Sequence, residues 1–148
     1  MKWVLRIAPT VLCVLESGVP LVLFSADTLL AGDVGRPDLR DREIGSHELA
    51  AMLHHSLFDK LLKLPPAVKV YPAHGAGSLC GRQISSAPFT TIGQEAATNW
   101  ALQFTDRDRF VEAMSWDLSP PMIWTRRYRL RKWELAIFSP PLRARGVR

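Results

Sequence analysis

The stretch FSADTLLAGDVGRPDL, residues 24–39, runs off the end of an apolar segment, places an acid at Asp27 and closes in a Gly-Arg-Pro-Asp turn. Just before it lie TVLCVL and PLVLFSAD, two Val- and Leu-rich runs joined by ESGV. Their composition and the Ser-Gly between them predict a hairpin of two buried strands, the second ending at Asp27. On the residues alone Asp27 has two readings, a cap for the turn that follows or a metal ligand held at a strand end.

Downstream the period changes. In SHELAAMLHHSLFDKLLKL, residues 46–64, Leu49, Met52, Leu53, Leu57, Leu61 and Leu64 recur at three- and four-residue steps. That spacing predicts an amphipathic helix with Ser46 as N-cap and Pro65-Pro66 as its stop. AVKVYPAHGAGS then gives a short strand, Val68 to Tyr71, and a glycine-rich loop that starts at His74. A second metal-competent side chain thus stands at a strand end, although His74 also reads as a loop residue bonded to backbone. The segment from there to Thr105 reads mostly as loop, with a short helix near Ile92 to Ala97. A further helix starts at Thr105, where TDRD supplies a cap and an acidic third helical residue, and buries Phe110, Val111, Met114 and Leu118 before LSPP ends it. The order is α/β, with polar residues gathered at strand ends, where open α/β folds place their sites.

At 148 residues the chain is long enough for one domain with a sizeable core. Its net charge of +5 is unevenly placed: residues 1–121 hold 11 basic against 13 acidic side chains, a net of −2, and residues 122–148 hold 8 against 1, a net of +7. The near-neutral body therefore argues against a nucleic-acid face built into the fold, and the basicity belongs to the tail MIWTRRYRLRKWELAIFSPPLRARGVR. Trp and Tyr interleaved with arginine can stack bases and contact phosphates, but so short a segment reads better as a linker remnant or a terminal helix. Cys13 and Cys80 are too few for a disulfide framework or a zinc module, which leaves a reducing cytoplasm as the default compartment. Lys2 and Arg6 ahead of IAPTVLCVL superficially copy a signal peptide. Pro9 inside the run, Glu16 behind it and the second apolar run favour the hairpin, and neither run has the length to cross a bilayer.

FSADTLLAGDVGRPDL, LHHSLFDKLLKLP, VYPAHGAGSLCG, TTIGQEAATNWAL and DRDRFVEAMSWDL also carry a resemblance. In this order and spacing they look like the second half of a metallo-β-lactamase-fold protein. Within that superfamily the chain resembles the persulfide dioxygenase and hydroxyacylglutathione-hydrolase-like branch, in particular members with a rhodanese domain after the metal domain. The resemblance implies an α/β fold that is the C-terminal half of an αββα sandwich over residues 1–121, followed by the basic aromatic tail 122–148. It implies that Asp27, which falls on the family's Gly-Asp-Thr-Leu, is a metal ligand. His74 ends the family's Tyr-Pro-Ala-His; by resemblance it binds the second metal in dinuclear zinc relatives and lies near the site in mononuclear iron relatives. Arg36 and Asp38, in the Gly-Arg-x-Asp segment, and Tyr71 are similar to residues lining the thiol-substrate pocket, where a guanidinium can hold a carboxylate of glutathione.

The cofactor so implied is Fe(II), with Zn(II) as the alternative. Non-haem Fe(II) oxygenases use two histidines and one carboxylate on one face of the ion, whereas hydrolytic relatives use the metal to generate a hydroxide that attacks a thioester. Glutathione persulfide or a glutathione thioester is the implied small-molecule partner; neither nucleic acid nor membrane is expected. Two departures qualify this. No histidine precedes Asp27, so the family's His-x-His-x-Asp-His cluster has no counterpart; His47, His54 and His55 fall on the long helix, the last two pointing about 100° apart. Ala26 stands where the family shows Gly, and if that position takes a positive φ, Ala costs roughly 1 kcal/mol or more. The first expectation is therefore the C-terminal part of a persulfide-dioxygenase-like metalloenzyme, inactive alone, with or without metal, and completed by a missing N-terminal half or another copy. The second is a thioester metallohydrolase; the third, of another class, is a non-catalytic remnant or a small basic interaction module. In each case apolar strand faces stay exposed unless a partner covers them.

Overall fold

In a computed structural model of the chain, the described residues are 1–8, 10–40 and 44–115. Three antiparallel strands come first, β1 (Lys2–Ala8), β2 (Val11–Glu16) and β3 (Val19–Ala26), followed by the two-stranded ribbon β4 (Leu29–Leu30) and β5 (Asp33–Val34). The expected hairpin is β2–β3, closed by Ser17 (φ 51°) and Gly18 (φ 82°). Two consecutive left-handed residues match the right-handed twist of the strands they join. Strand β1 was not foreseen. KWVLRIA alternates Lys2, Val4 and Arg6 with Trp3, Leu5 and Ile7, a period of two that the signal-like basic residues obscure.

Helix α1 (Ser46–Asp59) carries the chain over to β6 (Lys69–Pro72), which lies parallel to β3 with Leu23 beside Val70 and Phe24 beside Tyr71. A parallel pair needs such a crossover, and α1 supplies it. The short strand β7 (Thr90–Thr91), helix α2 (Ile92–Thr98) and helix α3 (Arg107–Ser115) complete the order, giving one mixed sheet β1-β2-β3-β6-β7. On its inner face Val11, Cys13, Leu23 and Val70 are buried with Leu57, Leu61, Phe110 and Met114 from the helical side. Burial there pushes the Cys13 thiol pKa up. One sheet carrying one helical layer is the partial sandwich expected from the sequence.

The helix ends differ in detail from expectation. Gly45, not Ser46, occupies the N-cap of α1, and Lys60 leaves the helical region, so α1 ends at Asp59 and a 3₁₀ turn, Leu61–Lys63, carries the chain to the prolines. Met52 is 53 % exposed, because a step of five residues turns it about 140° from the buried Leu57. Thr91 caps α2 by accepting from the Gln94 N–H (3.1 Å), and Asp106 rather than Thr105 accepts from the Arg109 N–H at the start of α3 (3.0 Å). Leu118, the LSPP stop, the boundary at residue 121 and the basic tail lie outside the described residues.

The other face of the sheet has no covering layer among the described residues. Leu12, Phe24 and Tyr71 are register partners in one row, and Val4, Val14 and Val22 in the next. Phe24 is 48 % and Val4 59 % exposed. The Tyr71 ring lies between Phe24 and Phe89, with centroids 5.9 and 5.6 Å away. A contiguous apolar face of this kind favours self-association. Replacing Leu12, 37 % exposed on that face, by Lys should raise the solubility of the isolated chain and leave its thermal midpoint within a few degrees, read by turbidity and circular dichroism.

Candidate metal centre

Asp27 is presented by a tight turn. The Thr28 N–H donates to the Ser25 carbonyl (3.0 Å), and the Ser25 hydroxyl donates to the Leu29 carbonyl (2.6 Å), reversing the chain between β3 and β4. Ala26 occupies the first corner of this turn with φ 48°. A left-handed first corner defines the turn types that glycine favours, so the anticipated strain at Ala26 is present. From the far side, Gly35 packs against the backbone of Asp27 so closely that a Cβ at Gly35 would overlap the Asp27 carbonyl oxygen. The glycine that opens the Gly-Arg-Pro-Asp turn therefore fixes the aspartate whose purpose the sequence left open.

His74 arrives from the neighbouring strand. Because β3 and β6 are parallel, both release the chain at the same edge, and the Ala73 N–H donates to the Ala26 carbonyl just beyond the sheet (3.1 Å). His74 Nδ1 then lies 2.7 Å from Asp27 Oδ1, both side chains being half exposed. The two residues singled out in the sequence, 47 positions apart, meet. Cys80, set aside in the sequence, joins them: one ligand atom from each of Asp27, His74 and Cys80 lies within 4.8 Å of the others. Its thiol is free, and its backbone is pinned, the N–H donating to Ser78 Oγ (3.1 Å) and the carbonyl accepting from the Arg36 N–H (3.1 Å). Only the His-x5-Cys in HGAGSLC could have signalled it, and an irregular loop gives such a spacing no periodic meaning.

Two buried carboxylates hold this edge together, and neither was anticipated. Asp33, 1 % exposed, accepts through Oδ1 from the Val34 N–H (2.8 Å) and the Trp100 indole (2.9 Å), and through Oδ2 from the backbone N–H groups of Arg82 and Gln83. Glu95, 2 % exposed, accepts from the Gly32 N–H, the Thr90 hydroxyl (2.7 Å) and the Asn99 amide (2.7 Å). The loop carrying His74 and Cys80 is thus tied to the β4–β5 ribbon, and the ribbon to α2.

Of the other residues expected at the site, Arg36 donates Nε and Nη2 to Asp38 (3.1 and 2.6 Å), both side chains being largely buried. The Asp38 hydrogen bond is the main cause raising the Arg36 pKa; burial opposes it, and the charges of Asp38 and Cys80 add to it. A substrate carboxylate would therefore meet a guanidinium whose fork is already engaged. Tyr71 lies in the aromatic row of the outer sheet face. His54 bonds the Thr105 carbonyl (2.9 Å) and stacks on Phe58, and His55 pairs with Asp59 (2.7 Å), so both are helix residues serving α1 and α3, as the sequence indicated.

The donor set decides which ions suit the described residues. One carboxylate and one imidazole fall short of the two histidines and one carboxylate of an Fe(II) oxygenase, whereas an O, N and S set is of the type that binds Zn(II). Two solved structures share this architecture. Over 78 % of this chain and 35 % of its own, a metallo-β-lactamase from Staphylococcus aureus subsp. aureus COL is 30 % identical, with a TM-score of 0.65. ETHE1 from Myxococcus xanthus is 26 % identical over 75 % of this chain and 41 % of its own, with a TM-score of 0.56. No family model matches the sequence, and no curated protein does. The fold is thus the α/β fold of these structures, represented in part. The chain shares the metallo-β-lactamase fold and is similar to members of that superfamily that include ETHE1, and it spans under half the length of both relatives.

Two substitutions test how this edge is built. Ala26→Gly should raise stability by about 1 kcal/mol by relieving the left-handed corner. Glu95→Ala, which strands three donors, should lower it by about 3 kcal/mol or more, both read from urea unfolding.

Proposed function

We propose that the chain is the metal-edge portion of a thiol-processing metalloenzyme related to persulfide dioxygenases, with glutathione persulfide as substrate. The observation that carries this reading is the meeting of Asp27 and His74 at the ends of two parallel strands. Asp27 supplies an anionic ligand, with the His74 imidazole beside it. Arg36, neutralised by Asp38, shapes the adjoining wall rather than standing as an open cation. Iron, where bound, would supply dioxygen chemistry at a persulfide sulfur; by the resemblance His74 stands near such an ion rather than on it, so turnover requires two histidines beyond the described residues' contribution of Asp27. On this reading the apolar outer face of the sheet is the surface that the remainder of a sandwich would cover.

A thioester hydrolase of hydroxyacylglutathione type is the second reading, favoured by the position of His74 on Asp27, which suits a zinc pair. The compartment under either reading is a reducing cytoplasm, compatible with the two free thiols. Among the described residues no helix is long and apolar enough to cross a membrane.

The test is metal content. The 148-residue chain purified without chelators should carry iron or zinc, and Asp27→Ala should weaken its binding about tenfold or more. Oxygen uptake with glutathione persulfide should be negligible for the chain alone and appear when a polypeptide supplying the His cluster is added. Metal content indifferent to Asp27→Ala would overturn the reading.

A further inference from the structure

We propose that Cys80 is itself a metal ligand, so that Asp27, His74 and Cys80 form a mixed O, N and S site that this chain can fill with Zn(II) without a second histidine. The inference rests on Asp27 and His74 being a metal pair and adds to it the third donor and the ion it selects. Two segments bring these residues together, the turn after β3 and the loop after β6. Asp27 is on the turn after β3, His74 follows β6, and Cys80 lies six residues further on, clamped between Ser78 and the backbone of Arg36.

The chemistry favours a borderline-soft divalent ion. A carboxylate and a thiolate balance two positive charges, the imidazole adds a neutral donor, and a thiolate among the ligands selects Zn(II) over Mg(II) or Ca(II). Bonds of about 2.0–2.3 Å in a tetrahedral site put ligand atoms about 3.3–3.8 Å apart. The atoms here already lie within 4.8 Å, and Asp27 and His74 are half exposed, so rotations of side chains free to move can close the remainder. On binding, the ion replaces the proton of the Cys80 thiol, which goes to solvent, and takes the place of the Asp27–His74 hydrogen bond. The backbone next to Cys80 is braced. Gly81 is wedged so that a Cβ would meet Ile84 Cγ1 at 2.7 Å and Asp33 Oδ2 at 2.8 Å, which fixes the loop from the buried side. The only other cysteine, Cys13, is buried in the core on the inner face of the sheet.

The probe is Co(II) alone, titrated into the metal-free 148-residue chain and followed by its visible spectrum. The expected result is one ion per chain, with ligand-field bands and a thiolate-to-cobalt charge-transfer band that Zn(II) abolishes by displacement. Cys80→Ser should remove the charge-transfer band and weaken binding about tenfold or more. Ligand-field bands that depend on Asp27 but lack charge transfer would overturn the Cys80 assignment and leave the Asp27–His74 pair standing. No Co(II) uptake at all would overturn both, and charge transfer that survives in Cys80→Ser would move the sulfur ligand to Cys13. X-ray absorption of the unmutated zinc-loaded chain, which reads sulfur in the ligand shell directly, decides the matter even if the serine variant fails to fold.

Discussion

The Asp33 carboxylate, buried at the start of the β5 strand, is the constraint on which the ends of the strands depend. A carboxylate removed from water is costly unless its lone pairs are met, and here four N–H groups meet them: two from the loop after Cys80, one from the next residue and one from the Trp100 indole. The donors come from segments 49 to 67 residues away as well as from the adjacent backbone. Glu95 repeats the device one element over, holding the Gly32 N–H, Thr90 and Asn99. Irregular loops at a sheet edge cannot satisfy their own backbone groups, and these two acids do so for them.

With the loops held from the buried side, the exposed side can carry chemistry. Asp27 and His74 owe their meeting to the parallel pairing of β3 with β6, since only parallel neighbours deliver both C-terminal ends to one edge. Gly35 presses the Asp27 backbone into place, and the Arg36 N–H holds the Cys80 carbonyl. The positive φ of Ala26 is the one visible local cost of this arrangement, carried at the residue preceding the functional acid. Side chains left half exposed on a rigid base can still rearrange around an ion.

The two faces of the sheet are treated differently. The inner face is packed by α1 and α3 into one core, whereas the outer face sets Leu12, Phe24 and Tyr71 in a row with solvent. Layered α/β domains cover both faces of a central sheet, so the outer face is where the fold calls for its second layer. The metal edge and the uncovered face meet at the end of β3, within three residues of Phe24.

Much of this was legible because it is local. The β2–β3 hairpin follows from two Val- and Leu-rich runs around Ser-Gly, and α1 from the three- and four-residue recurrence of leucines; α2 and α3 likewise announce themselves in sequence, to within a residue or two at their caps. Asp27 and His74 were marked as residues at strand ends, and the resemblance of their motifs made them metal candidates. What the sequence could not decide is what depends on contacts across dozens of residues. Cys80 looked like an unpatterned cysteine because its partners are 6 and 53 positions away by a path that only the folded loops define. Asp33 and Glu95 drew no notice, because nothing in their neighbours in sequence reveals the N–H groups that fold around them. Arg36 looked like an open cation until Asp38, two residues on, took its fork. Periodicity and turn chemistry act over a few residues, so the chain alone determines its elements; the juxtaposition of side chains is a property of packing, and only the tertiary structure decides it.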